Sequence, residues 1–178
     1  MSKHVLVIST SLRSRSNSHL LAQQFAQGAQ EAGHQVELVS LQGKELHFCN
    51  GCMACLEAHR CVIEDDANAI VEKMGAADVI CFATPVYYYE MAGQMKTLLD
   101  RANSLYGSDY AFRDIYLLTA SAEEEDSASD GPVHGLNGWI ACFERARLSG
   151  VVRGGGANDP GEMSQDKLDT AYQMGKNV

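Results

Sequence analysis

Two short stretches carry most of the side chains in this sequence that could do chemistry. Four of its six cysteines, Cys49, Cys52, Cys55 and Cys61, fall within thirteen positions in the spacing C-x2-C-x2-C-x5-C. Upstream, "TSLRSRSNS" (10–18) gathers Ser11, Arg13, Ser16, Asn17 and Ser18 without a glycine. Thiols this crowded, in a chain of 178 residues with ample core material, read as metal or redox chemistry before they read as a disulfide framework. The hydroxyls and the guanidinium follow a buried apolar run, "HVLVIST" (4–10), and precede a helical pattern. A helix N-terminus offers free N–H groups and a partial positive charge to an anion. Side-chain donors added there suit the three terminal oxygens of a phosphate monoester. The glycine fingerprints of dinucleotide sites and P-loops are both missing. A plain helix cap by Ser16 or Asn17 is the alternative, and it leaves the arginines and surplus hydroxyls without a role.

A third stretch, "ATPVYYYEMAGQMK" (83–96), stiffens its turn with Pro85 and sets Tyr87, Tyr88 and Tyr89 in a row. Consecutive side chains point different ways, so the three rings cannot all enter the core. One facing a cleft would pack on a planar group; covering a helix end or a subunit interface is the other reading. Together the two loops describe a planar ligand bearing a phosphate, and flavin mononucleotide (FMN) fits both halves.

The elements that must position these loops alternate. Strand patterns cover 4–10, 35–41, 78–87, 114–120 and 148–154, and helical spacing covers 17–32, 66–76, 92–105, 134–147 and 163–175. Five strands alternating with five helices predict a doubly wound α/β fold with a parallel sheet, in one domain over 1–178. Ligands of such sheets bind beyond the carboxyl ends of the strands, where strand order reverses. The loop after the fourth strand adds Ser121 at the flavin's polar rim, followed by the acidic run Glu123 to Asp126, read as a solvated loop or a lid. Cys81 and Cys142 read as core residues, and the six histidines show no metal-binding grouping.

A net charge of −9 and a pI near 5.0 disfavour nucleic acid and anionic membranes as partners. No apolar run is long enough to span a bilayer, and the first residues lack the layout of a secretion signal. A cytoplasmic location is expected.

In three motifs the sequence resembles the flavodoxin-like NAD(P)H-dependent FMN reductases, including the iron–sulfur flavoproteins. "TSLRSRSNS" (10–18) is similar to the family's G-S-P-R-x-x-S-N-T, departing at Thr10 and Leu12. "TPVYYYEMAGQMKTLLDR" (84–101) resembles T-P-V-Y-x-x-x-M-x-x-x-x-K-x-x-x-D-R, and "CNGCMACLEAHRCVIEDD" (49–66) resembles C-x-G-C-x-x-C-x5-C-x-x-x-D-D. The resemblance implies a flavodoxin-like three-layer sandwich whose five-stranded parallel sheet has the order 2-1-3-4-5. It places Pro85, Val86, Tyr87 and Tyr88 against the isoalloxazine and makes NAD(P)H the co-substrate. It implies a homodimer or higher homo-oligomer. Lys96, Asp100 and Arg101 match too, and an ion-paired helix accounts for them. For Cys49, Cys52, Cys55 and Cys61 it implies a [4Fe–4S] cluster, with a plain reductase bearing free thiols, a Cys52–Cys55 redox disulfide or a zinc site as alternatives. The expected activity is hydride transfer from NAD(P)H to flavin and onward to an acceptor. A non-enzymatic flavodoxin-type carrier between protein partners is the alternative.

Overall fold

Val5, Leu6, Val7 and Ile8 are all fully buried. Successive side chains of a strand face opposite sides of the sheet, so this strand must be covered on both faces. The computed structural model, which describes residues 1–178, shows how. The strands are β1 (His4–Ser9), β2 (Gln35–Ser40), β3 (Val79–Tyr87), β4 (Glu90–Met91), β5 (Asp114–Ala120) and β6 (Arg147–Gly154). The helices are α1 (Asn17–Glu31), α2 (Cys55–Ala58), α3 (Asp66–Ala76), α4 (Gly93–Arg101), α5 (Asp130–Ile140) and α6 (Gln165–Lys176). The main sheet is parallel in the order β2-β1-β3-β5-β6, which is the predicted 2-1-3-4-5 when the five long strands are counted. The sixth, β4, pairs antiparallel with the end of β3 and was not foreseen.

Alternation along the strands sorts the core into two layers. Leu6, Ile8, Ile80, Phe82, Ile115 and Leu117 pack with apolar residues of α3, α4 and α5. Val5, Val7, Val79, Cys81 and Leu118 pack with Leu21, Phe25 and Ala29 of α1 and Ala171 of α6. Each fully buried aliphatic side chain contributes about 1.5–3 kcal/mol, and it is this double cover that fixes strand register. The fourth predicted helix, placed at 134–147, runs from Asp130 to Ile140 instead. Pro132 falls in its first turn, where a missing N–H costs nothing, and the chain turns out of the helix from Ala141. Cys142 therefore sits exposed in that turn and is not the core residue expected, whereas Cys81 is buried as expected.

α1 and α6 cross backbone to backbone. A Cβ on Gly28 would lie 2.1 Å from the Tyr172 carbonyl oxygen, and one on Gly175 would lie 2.0 Å from that of Phe25. No side-chain rotation relieves a clash with backbone. Gly28→Ala is expected to separate the helices and lower stability by about 1–3 kcal/mol, read as a lower urea midpoint at unchanged slope.

Candidate functional site

The first loop leaves β1 at Ser9 and reverses at Arg15, whose φ of 55 lies in the left-handed region. Ser16 caps α1, its side chain accepting from the His19 N–H at 3.4 Å. The hydroxyls of Ser16 and Ser18 meet at 3.0 Å, and the Arg13 N–H donates to Ser11 Oγ at 3.2 Å. The backbone N–H groups of Ser16, Asn17 and Ser18 find no acceptor in the chain, although all three residues are buried. Buried unpaired donors are costly, and three together at a helix start form a seat for an anion. Thr10, where the family has glycine, is buried and uses its hydroxyl and its N–H on the Ala83 carbonyl at 3.1 and 2.9 Å.

Asn17 does something the sequence did not reveal. Its Nδ2 donates to the carbonyls of Ala157 at 3.0 Å and Asp159 at 2.8 Å, and its Oδ1 accepts from the Gly161 N–H at 2.9 Å. The side chain thus ties the loop after β6 to the start of α1 and leaves the anion to its own backbone N–H. Arg13 reaches the same loop, donating to the Asn158 carbonyl at 3.3 Å.

Ser11, Arg13, Ser16, Asn17 and Ser18 line a cavity of about 180 Å³ together with Pro85, Val86 and Tyr87. A second cavity of about 320 Å³ adjoins it, sharing Val86 and Ala122 and adding Tyr88, Tyr89 and Ser121. All ten cofactor residues predicted from sequence line one or the other. One end of this cleft is polar with unpaired donors and the other is flanked by aromatic residues, the division a phosphate and a flat ring require.

Within it, Ser121 has its polar groups satisfied: its N–H goes to the Gly154 carbonyl, its carbonyl accepts from Ala157, and its hydroxyl donates to the Glu123 carbonyl at 3.0 Å. That last bond and the Gly156 N–H, at 2.9 Å, pin the acidic stretch by its backbone while its side chains stay in solvent.

The tyrosine stretch is a hairpin turn. Tyr88 and Tyr89 have φ of 50 and 61 between the paired residues Tyr87 and Glu90, a two-residue connection that favours glycine or asparagine. Aromatic side chains held there are strained. The turn is braced by Thr84 Oγ1, which accepts from the Ala92 N–H at 3.1 Å, and by α5, where a Cβ on Gly131 would lie 2.0 Å from the Tyr89 carbonyl. Tyr88 is fully solvent-exposed.

Cys49, Cys52, Cys55 and Cys61 all line a third cavity, of about 400 Å³, walled by Trp139, Phe143 and Leu99. The thiols ring this space and do not meet at a point: no three His, Cys, Asp or Glu side chains converge closely enough to share one metal ion. A tetrahedral zinc site needs such convergence, whereas a cubane takes its thiolates at separate corners. Four thiols about an apolar hollow with N–H groups directed at sulfur fit the cluster. Cys142 lines the same cavity, a fifth thiol distant in sequence from the other four.

The loop holding these cysteines is fastened by Arg101, whose side chain is fully buried. Its guanidinium grips both oxygens of Asp65, through Nη1 on Oδ2 and Nη2 on Oδ1 at 2.9 Å, and donates to the carbonyls of His47 at 2.9 Å and Ile63 at 2.7 Å. Residues on both sides of the cysteine loop are thereby held by one side chain. Lys96 and Asp100 pair along α4 as expected, at 2.5 Å, but Arg101 pairs across to α3's cap. Burial pushes the Asp65 pKa up, and hydrogen bonds from Arg101, His47 and Ala67 outweigh it, leaving the carboxyl below its ordinary value. The stabilisation is therefore present above the unfolded pKa of ~3.9 and lost as pH falls through the lower folded value.

Residues 4–150 match the family described as NADPH-dependent FMN reductase. Among curated relatives, an iron–sulfur flavoprotein of Methanocaldococcus jannaschii is 40% identical over 101 residues, covering 57% of this chain and 52% of that protein. One from Archaeoglobus fulgidus is 28% identical over 154 residues, covering 84% and 66%. The chain spans about half the length of the first two curated relatives it matches, 52% and 48%. The solved NAD(P)H:quinone oxidoreductase from Methanothermobacter marburgensis has a TM-score of 0.74 at 19% identity, with 99% of each chain covered. A WrbA-like flavodoxin from Agrobacterium tumefaciens has a TM-score of 0.66 at 18% identity, covering 99% of this chain and 95% of its own. The expected flavodoxin-like fold is thus found, and no helix is long and apolar enough to cross a membrane.

Asp65→Ala would leave the Arg101 guanidinium buried without its counter-charge. We expect a loss of about 3–5 kcal/mol in urea unfolding. The variant should also lose the acid dependence that Asp65 gives the wild type between its folded and unfolded pKa values.

Proposed function

Because this chain belongs to the NADPH-dependent FMN reductase family, matched over residues 4–150, we propose that it is an FMN-dependent NAD(P)H oxidoreductase built on one domain over 1–178. The observation that carries this reading is the cluster of unpaired N–H groups at Ser16, Asn17 and Ser18 at the polar end of the cleft. When bound, FMN would supply hydride uptake from NAD(P)H and delivery of electrons to an acceptor. Ser11, Arg13, Ser16 and Ser18, with the backbone of Asn17, would hold its phosphate. Pro85, Val86, Tyr87 and Tyr88 would bear on its ring, and Ser121 would shape the loop at the ring's rim. No side chain is nominated as general acid or base, since the chain's part is to bind, orient and exclude water.

Cys49, Cys52, Cys55 and Cys61 would hold a [4Fe–4S] cluster, which supplies single-electron transfer to or from the flavin. Supporting this are the shared cavity of the four thiols and the iron–sulfur flavoproteins among the relatives. Crowded free thiols suit a reducing compartment, so we place the protein in the cytoplasm. The exposed Tyr88 and Tyr89 beside the cleft suit burial against a second copy, so a homodimer or larger assembly is part of the proposal.

Anaerobically purified protein should show a flavin spectrum, and its NADPH oxidation should saturate with NADPH; turnover only with an added reductase would make it a carrier. Arg13→Ala removes one charge-assisted bond worth about 1.5–3 kcal/mol, so FMN affinity should fall about 10–100-fold. Riboflavin, which lacks the phosphate, should bind both proteins equally. Unchanged FMN affinity in the variant would move the phosphate out of this loop.

A further inference from the structure

Two polar side chains near the end of α4 point at sulfur. Arg101 Nε donates to Cys61 Sγ at 3.1 Å, and Asn103 Nδ2 donates to Cys55 Sγ at 3.3 Å. They are two residues apart, in the last position of α4 and in the 3-10 turn at Ala102–Leu105 that continues it. Both line the same hollow as the four thiols. The other four N–H directions of Arg101 are taken by Asp65, Asn68 and the carbonyls of His47 and Ile63. Its Nε–H is thereby fixed in direction. A guanidinium held on all sides cannot swing away from Cys61, and Asn103 approaches Cys55 from the next turn of the same chain segment.

We propose that Arg101 and Asn103 are positioning residues for the cysteine site, presenting Cys61 and Cys55 to a bound cluster and setting its potential through N–H···S hydrogen bonds. This rests on the cluster reading given above and adds to it the residues that tune it. Hydrogen bonds to cluster sulfurs stabilise the more negative, reduced state and raise the potential. Residues that orient metal ligands typically affect metal retention by 10–100-fold.

The test uses the full chain with FMN, loaded anaerobically with iron and sulfide, as wild type, Asn103→Leu and Arg101→Lys. Asn103→Leu keeps the side-chain volume and removes the donor without touching the Asp65 pair. Arg101→Lys keeps the charge beside Asp65 but cannot also reach Cys61 with a fixed N–H. Both variants should keep FMN, release iron to a ferrous chelator about tenfold faster than wild type, and titrate at a more negative potential. The potential is the deciding reading, since a merely structural residue would change retention and leave it in place. Asn103→Gln, which restores an amide donor, should return the potential toward wild type. A wild type that takes up no iron and sulfide removes the cluster and this assignment with it. A loaded wild type whose potential is matched by both variants overturns the assignment alone.

Discussion

Two parallel strands cannot be joined by a hairpin, so each connection must leave the sheet, cross a face and return to the opposite edge. In this chain that requirement brings every β-strand of the main sheet to one edge at its carboxyl end. β1 passes through α1, on the face with α6, to reach β2. β2 then passes through α3, on the other face, to reach β3. β3 leaves through α4 on that same second face, so the connections from β1 and β3 diverge, and the carboxyl ends of these neighbours open a crevice that no crossover fills. The serine-rich loop and the tyrosine hairpin are the two lips of that crevice. The cysteine loop is the long connection leaving β2 at the same edge. Neither site is a property of a single loop; both follow from the parallel sheet.

How much of this could be read from the residues depended on whether the determining contact was local. The strands were legible because double burial writes continuous apolar runs such as Val5 to Ile8, whereas their order in the sheet came from the family resemblance. The donor-rich start of α1 was legible because a strand, a polar loop and a helix start are adjacent in sequence. The β4 hairpin was not, since Tyr88 and Tyr89 take left-handed φ values that glycine or asparagine would have signalled and that aromatic residues conceal. Nor was the role of Asn17, whose three partners lie more than a hundred positions away. Arg101 looked like one more charge on a helix with Lys96 and Asp100. Its neighbours in sequence give no hint that it is buried or that its partner caps α3. Cys142 falls inside the helix that spacing predicts over 134–147, whereas Pro132, suited to a first turn, signals the earlier start at Asp130 that leaves Cys142 beyond the helix end.

The electrostatics of the crevice run against the charge of the chain. A protein of net charge −9 repels a dianion at long range, and Glu123 to Asp126 stand exposed beside the cleft. What would admit a phosphate at the proposed seat is a short-range field. Helix-terminal N–H groups act within one turn, and buried donors are little screened because water is excluded. Arg13 adds a full positive charge at the mouth. Because Asn17 draws the loop after β6 over the seat, the same hydrogen bonds that order the fold also keep solvent from weakening that field.

The groove beside Tyr87 shows how closely the two sites are joined. Leu12 of the phosphate loop, Tyr87 of the ring cleft and Phe48, which precedes Cys49, line one hollow of about 450 Å³. Phe48 is 82% exposed and Leu12 47%, and the start of α4, at Gly93, Gln94 and Thr97, lines the same hollow. Electrons exchanged between a flavin and a cluster need proximity and a dry path, and those are set by where the protein holds each group. Arg101 fixes the cysteine loop on one side of the groove and the Thr84-braced hairpin fixes Tyr87 on the other. The separation of the two proposed redox groups would thus be set by two anchoring residues, neither of which would itself accept an electron.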